Sequence, residues 1–251
     1  MTGCWALLSG GKDSVCTASI LSKQGRLAGC VFLDTKIAAT DTRPFVERLC
    51  GDQGWELRVF EAPVSFEILV GRYGFPRGPV GHRWAYGALK ERPLRAAATA
   101  LAVEGETLTF ASGVRVGESD RRRLTVKLGT GRYRDRGFDI TAPIADWTTP
   151  EVYAHLKEND LPLAPAYAPL GISGDCLCGA FASKDEAAAI LQTYPDVAAR
   201  IRRLEESVAG RFAFPRDRWG SVRTRGGFRA LSGQRTLEGI VCGGDCASGG
   251  V

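Results

Sequence analysis

The sequence predicts an α/β fold: a parallel sheet with helices on both faces, followed by a C-terminal helical and irregular extension. Three observations predict it. Short apolar runs alternate with helical stretches of ten or more residues through roughly the first 110 positions, the pattern of parallel strands joined by crossover helices. The first junction, Ser9-Gly10-Gly11-Lys12-Asp13-Ser14, is a polar, glycine-bearing turn between an apolar run and a helical one. From about residue 115 the chain becomes basic and glycine-interrupted, then helical, and it ends on the second of two close cysteine pairs.

Taken in order, CWALLS reads as a buried strand and KDSVCTASILSKQG as a helix stopped by Gly25. LAGCVFLDT is a second strand, TRPFVERLCGDQG a second helix with Pro44 near its first turn, and WELRVFEA a third strand. A longer irregular segment precedes the helical ALKERPLRAAATALAVEG and the strand TLTFASGV. RVGESDRRRLTVKLGTGRYRDRG reads as loop or hairpin. TTPEVYAHLKEND is a helix with a threonine cap, and KDEAAAILQTYPDVAARIRRLEESVAG a helical pair broken near Pro195. The last thirty residues, rich in Gly and Arg, are expected to be irregular. The simplest parse is a Rossmann-like α/β domain over 1–170 and an extension over 171–251 packed on it as one structural unit.

Composition narrows the function classes. At 251 residues the chain can bury a substantial core, and 44% apolar with 24% charged residues is the balance of an ordinary globular protein. No apolar run approaches the roughly 20 residues that span a bilayer. The N-terminus has no basic region leading into a long apolar stretch. The expectation is a cytoplasmic chain without a membrane partner. A formal charge of +5 suits an anionic metabolite and permits a nucleic-acid partner.

The Ser9–Ser14 turn carries the chemistry. Backbone amides at a helix N-terminus lack intrahelical partners and carry partial positive charge, so such a junction suits an anion. Gly10 and Gly11 let backbone approach phosphate closely, Ser9 and Ser14 add hydroxyls, and Lys12 adds a point charge. The Walker A pattern needs four residues between its first Gly and the Gly-Lys pair, and that spacing is absent.

The full string SGGKDS after the first strand resembles the PP-loop of the ATP pyrophosphatase, or adenine nucleotide α-hydrolase, superfamily. Further stretches resemble its phosphoadenosine-phosphosulfate (PAPS) reductase branch. FLDTK places Asp34 and Thr35 at the end of the second strand. SGVRVGESDRRR resembles a G-x-R-x-x-E/Q-S-x-x-R motif, matched by Gly113, Arg115, Glu118, Ser119 and Arg122. PIADWTTPEVYAHLKENDLPLAPAYAPLGISGDCLCG resembles a segment with Asp-Trp-Thr, a short helix, a Tyr and a glycine-cysteine turn. HRWAYGALKERPL resembles a segment that makes His82, Arg83 and Lys90 candidate substrate contacts, with solvent exposure the alternative for Lys90.

The resemblance covers the chain to about residue 182 and implies an adenine-nucleotide enzyme. Ser9 to Ser14 would hold phosphates, Asp34 and Thr35 would border the adenosine, and Gly113, Arg115, Glu118, Ser119 and Arg122 would complete the anion site. Lys12, Asp13 and Arg115 are the candidate catalytic residues. The preferred activity is ATP cleavage at the α-phosphate to AMP and pyrophosphate, with Mg²⁺, activating an acceptor for sulfur transfer. A nucleic acid and a sulfur-donor protein are the candidate partners, and a homo-oligomer is allowed.

Cys4, Cys16, Cys30 and Cys50 fall singly in strands and helices and read as small buried side chains. Cys176 with Cys178, and Cys242 with Cys246, form tight pairs that suit metal or redox chemistry. With the resemblance, these four imply a [4Fe–4S] cluster, with Zn²⁺ or a redox-active disulfide as alternatives. The family's reductases carry a nucleophilic cysteine in Glu-Cys-Gly-Leu/Ile-His. Here Val241-Cys242-Gly243-Gly244-Asp245-Cys246 lacks the Glu and the His. PAPS or adenosine 5′-phosphosulfate (APS) reduction by Cys242 is therefore the rival activity, and a zinc-stabilised nucleotide- or nucleic-acid-binding module without catalysis is the third reading.

Overall fold

The structure is a computed structural model and describes residues 3–118 and 131–220. Among these, six strands form one sheet: β1 (Cys4–Leu7), β2 (Leu27–Asp34), β3 (Leu57–Glu61), β4 (Thr109–Ala111), β5 (Arg132–Asp135) and β6 (Phe138–Thr141). Their order is β3-β2-β1-β4-β6-β5, every pairing parallel except β5 with β6. Helices α1 (Lys12–Lys23), α2 (Thr42–Gln53), α3 (Phe66–Tyr73), α4 (Gly78–Tyr86) and α5 (Arg92–Leu101) fall in the first half. Helices α6 (Thr149–Glu158), α7 (Tyr167–Leu170), α8 (Lys184–Thr193) and α9 (Pro195–Val208) fall in the second.

Alternation along the strands builds the two faces. Cys4 and Ala6 of β1 and Cys30 and Phe32 of β2 pack with α1, α2 and α6, through Val15, Leu49 and Leu156. Trp5, Leu7, Val31 and Leu33 point the other way, onto Leu94 and Ala97 of α5 and onto Phe110 and Ile140. Burying a side chain such as Phe32 or Phe110 contributes roughly 1.5–3 kcal/mol. A third apolar cluster joins Phe66, Phe75 and Leu89 to Leu177, Ile190, Ile201 and Trp219, so the C-terminal helices share a core with α3 and α4.

The local signals explain the ends of these elements. Gly25 takes φ +61° just past α1, and Gly54 caps α2 in the left-handed conformation. Thr148 and Glu151 form a reciprocal capping box at the start of α6, and Ser183 and Glu186 do the same for α8. Arg136 and Gly137 both have positive φ, 49° and 90°, as a two-residue β5–β6 hairpin requires.

Two expectations are corrected. The segment read as irregular before residue 88 contains α3 and α4; α3 is capped by Ser65, whose Oγ accepts the Ile68 amide. The strand read over TLTFASGV is only three residues long, and its second neighbour is β6, not anticipated from FDIT. A π-helical turn, Gly87–Glu91, links α4 to α5 without a break. The last thirty residues, expected to be irregular, lie outside the described residues. No described helix is long and apolar enough to cross a membrane.

His155 on α6 bonds Ser19 Oγ of α1 at 3.0 Å and meets the Trp147 ring edge-on. Burial first, and Lys23 second, push its pKa below the ordinary 6.5, against the opposing pull of Glu158. The folded state thus binds a proton less readily than the unfolded chain. The stability this contributes is full above about pH 6.5 and is lost as pH falls toward the depressed value. A pH series of thermal melts is expected to fall less steeply below pH 6.5 in His155→Gln than in the parent; parallel curves would refute the linkage.

Candidate nucleotide-binding site

Chain order creates the site. From β1 the chain moves outward through β2 to β3, then returns to place β4 on the opposite side of β1. The crevice between the carboxyl ends of β1 and β4 is therefore the topological switch point, where open α/β sheets receive ligands. The Ser9–Ser14 turn leaves β1 there, and Ser112 to Arg115 leave β4 there.

The turn is internally braced. The Ser9 amide donates to Ser14 Oγ at 3.2 Å, and Ser14 Oγ donates to the Gly11 carbonyl at 2.9 Å. Gly10 takes φ +84°, unfavourable for residues with a Cβ, and Gly11 is the N-cap of α1 with no side-chain cap. No side chain caps the first turn of α1, in which Asp13 lies, and a helix start of this kind suits an anion.

Asp13 brings the two loops together. Its Oδ2 lies 3.0 Å from Lys12 Nζ and its Oδ1 2.8 Å from Arg115 Nε, with the two cations 3% and 4% exposed. Arg115 also reaches the Trp147 carbonyl and Thr149 Oγ1, both at 3.3 Å, so α6 helps aim it. Lys12 Nζ stands 5.9 Å from the centroid of Tyr167, whose hydroxyl pKa is raised chiefly by burial. A carboxylate shared by two buried cations fixes both in place, and a phosphate arriving there meets positioned charge.

Gly113 permits this junction. A Cβ at that position would lie 2.6 Å from the Asp13 carbonyl carbon, which is backbone and cannot swing away. Gly113→Val is expected to cost about 1–3 kcal/mol and to weaken nucleotide binding together with stability. Urea melts and a nucleotide titration check this; an unchanged midpoint would contradict the close approach.

The other sequence-predicted residues fall as follows. Asp34 ends β2; its Oδ1 accepts the Lys36 amide at 2.8 Å and its Oδ2 pairs with Arg43 at 3.2 Å. Thr35 is fully buried and donates to the Asp175 carbonyl at 2.8 Å, which ties β2 to the loop carrying the first cysteine pair. Lys90 does not face solvent: its Nζ sits 2.6 Å from Asp175 Oδ2. His82 is buried between the rings of Tyr86 and Phe181, whereas Arg83 is exposed. Glu118 closes a short 3₁₀ turn, Val116–Glu118. Ser119, Arg122, Cys242 and Cys246 lie outside the described residues.

Asp175, Ser173, Trp147 and Thr149 were not singled out from sequence. Ser173 Oγ donates to Asp175 Oδ1 at 2.6 Å, and its Cβ would be 3.2 Å from a Cβ on Gly11. Apart from the Ser173–Asp175 bond, which spans two residues, these contacts join residues far apart in the chain, and nothing local marks them.

Cys176 and Cys178 are buried on the same loop, either side of Leu177. The Leu177 amide donates to the Ile37 carbonyl, and its own carbonyl accepts the Trp219 indole at 3.0 Å. The chain thus reaches residue 220 beside the cysteine pair, before entering the segment that carries Cys242 and Cys246. Among the described residues no three His, Cys, Asp or Glu side chains are grouped to hold a metal. Cys16 is no candidate nucleophile: burial first, then Asp13, pushes its thiol up to about 12.

A braced, cationic turn at the switch point of a helix-covered parallel sheet is the arrangement of nucleotide-binding α/β proteins. Residues 3–170 match the phosphoadenosine phosphosulfate reductase domain, and the chain belongs to that family. The resemblance read from SGGKDS, FLDTK and GVRVGES is borne out at that level. A phosphoadenosine 5′-phosphosulfate reductase of Vibrio cholerae is 31% identical over 143 residues, covering 55% of this chain and 52% of that protein. One from Xanthomonas euvesicatoria is 29% identical over 161 residues, covering 62% and 63%. The chain spans about half to two thirds of the length of these curated relatives. The phosphate complex of a PAPS reductase from Candida auris superposes with a TM-score of 0.51 at 17% identity, over 68% of this chain and 79% of that one, a likeness of fold.

Proposed function

We propose that the chain is an enzyme of sulfonucleotide reduction. It would bind APS or PAPS with the nucleotide phosphate on the Ser9–Ser14 turn. The observation that carries this reading is the convergence of Lys12 and Arg115 on Asp13 at the switch point. The names of the curated relatives support the reaction class.

In this reading the Cys242 thiolate attacks the sulfonucleotide sulfur. An Sγ–S bond forms and the S–O bond to the nucleotide phosphate breaks. The nucleotide leaves with that oxygen and its electron pair. Lys12, Arg115 and the first amides of α1 would stabilise the negative charge gathering on the departing phosphate. An external dithiol then attacks Cys242 Sγ, sulfite leaves, and the dithiol's second thiol frees Cys242 as it closes to a disulfide. The tail supplies the nucleophile because the described thiols are buried, and that of Cys16 is held up to about 12.

One observation favours a second reading. The segment around Cys242 lacks the Glu and His of the reductase motif and carries a second cysteine, Cys246. Cys176 and Cys178 with Cys242 and Cys246 would then hold a [4Fe–4S] cluster or Zn²⁺, and thiolate donors suit both. The cluster would supply a structural, electron-transfer or sulfur-binding centre. The nucleotide would be ATP, cleaved at the α-phosphate, with Mg²⁺ arriving on its phosphates. Cys242 cannot serve both readings, so they part experimentally.

Purified anaerobically and given APS or PAPS with a dithiol, the protein is expected to release sulfite, and Cys242→Ser to abolish release while retaining nucleotide affinity. Pyrophosphate release from ATP without sulfite release would replace the first reading with the second. Bound zinc with neither turnover would leave a binding module.

A further inference from the structure

Lys90 and Asp175 form a largely buried ion pair beside the phosphate turn, although 85 residues separate them in sequence. Their side chains are 15% and 7% exposed and their charged atoms 2.6 Å apart. The second carboxylate oxygen of Asp175 accepts Ser173 Oγ, and its backbone carbonyl accepts Thr35. Ser173 abuts Gly11, so the carboxylate stands on the ligand side of the sheet, one side chain away from the turn. The π-helical turn Gly87–Glu91 presents Lys90 to this point, a local distortion that recurs at functional sites.

A cation this close to the turn is where a second phosphate or sulfate of a ligand would seek charge. Here that position already has an anion, built into the chain. A second anionic group approaching Lys90 would face the Asp175 carboxylate, itself 7% exposed, where like charges are little screened by water and repel. We propose that Asp175 is a specificity-determining residue, its carboxylate acting as a resident anion that turns the site against nucleotides carrying a second phosphate on the Lys90 side. This rests on the reading that the Ser9–Ser14 turn holds a nucleotide phosphate. It adds that the favoured nucleotide is the one with fewer anionic groups.

The test measures binding of AMP, ADP and adenosine 3′,5′-bisphosphate by calorimetry to the full chain and to Asp175→Asn. The substitution retains the side chain's shape and its capacity to accept from Ser173. The parent is expected to bind AMP more tightly than whichever of the other two carries its second phosphate toward Lys90. Asp175→Asn is expected to raise the affinity for that ligand at least about tenfold while AMP changes less than about threefold. Adding Lys90→Met should remove the gain. A purely structural pair would shift all three ligands together, and that result overturns the proposal. Should Asp175→Asn fail to fold, binding of both ADP and adenosine 3′,5′-bisphosphate by the parent as tightly as AMP, or more tightly, overturns it instead. Absence of AMP binding to the parent would overturn the phosphate-turn reading itself, which distinguishes the two failures.

Discussion

Asp13→Ala is expected to lower stability by about 3 kcal/mol, the low end for removing one partner from a largely buried charge pair. The substitution leaves Lys12 and Arg115, 3% and 4% exposed, without the carboxylate they share. Against a typical total of about 5–15 kcal/mol, such a loss brings the fold near its limit. Phosphate or sulfate should rescue the variant more than the parent, because an added anion can take the place of the carboxylate. Denaturant midpoints with and without 50 mM-scale (roughly, well above a weak site's dissociation constant) phosphate read both effects. A midpoint unchanged by the substitution would mean that the three charges do not form a unit.

Lys12→Met carries the second large effect, on binding and not on folding. Asp13 retains Arg115, so the junction between the loops stays closed and the melting temperature should move little. The nucleotide loses a hydrogen bond to a charged donor, a contribution of roughly 1.5–3 kcal/mol, so affinity should fall about 10- to 150-fold. Calorimetric titration of the nucleotide measures it. Undiminished affinity in a folded variant would remove Lys12 from the site.

The parts of this molecule legible in the sequence are those in which local chemistry and tertiary role coincide. The run from Cys4 to Ser14 states its strand, its turn and its helix start within eleven residues, and the fold places it at the switch point. Strands β2 and β3 and helices α2, α6, α8 and α9 likewise carry their own periodicity, caps and stops. The segment holding α3 and α4 does not. Its glycines and prolines, in GRYGFPRGPVG, read as loop, yet the apolar cluster around Phe66, Phe75 and Leu89 holds it helical. Strand β6 escaped notice because FDIT gains its meaning from β4 and β5 on either side.

The candidate site divides in the same way. Lys12, Asp13 and Arg115 were named from motif, and the structure brings them within hydrogen-bonding distance. Thr35 was named beside the adenosine, and its hydroxyl is engaged by the Asp175 carbonyl. Asp175 itself carries no local pattern. Its importance lies mainly in what arrives from elsewhere in the chain, namely Lys90 and Thr35.

The π-helical turn between α4 and α5 also sets a phase. Among the buried positions on this continuous helix, Gly81, Ala85, Leu89, Pro93 and Ala97 stand four residues apart, with His82, Ala88 and Leu94 beside them. A regular α-helix turns about 100° per residue, so a strict four-residue spacing would drift about 40° at each step and wind the apolar stripe around the rod. The wider turn at Gly87–Glu91 absorbs part of that drift, letting α4 rest on the cluster shared with the C-terminal helices while α5 rests on the sheet. Lys90 lies within that correction. The helix therefore cannot lose or gain a residue there without surrendering either the seating of α5 or the meeting of Lys90 with Asp175, and the length of this segment is as much a part of the site as any side chain in it.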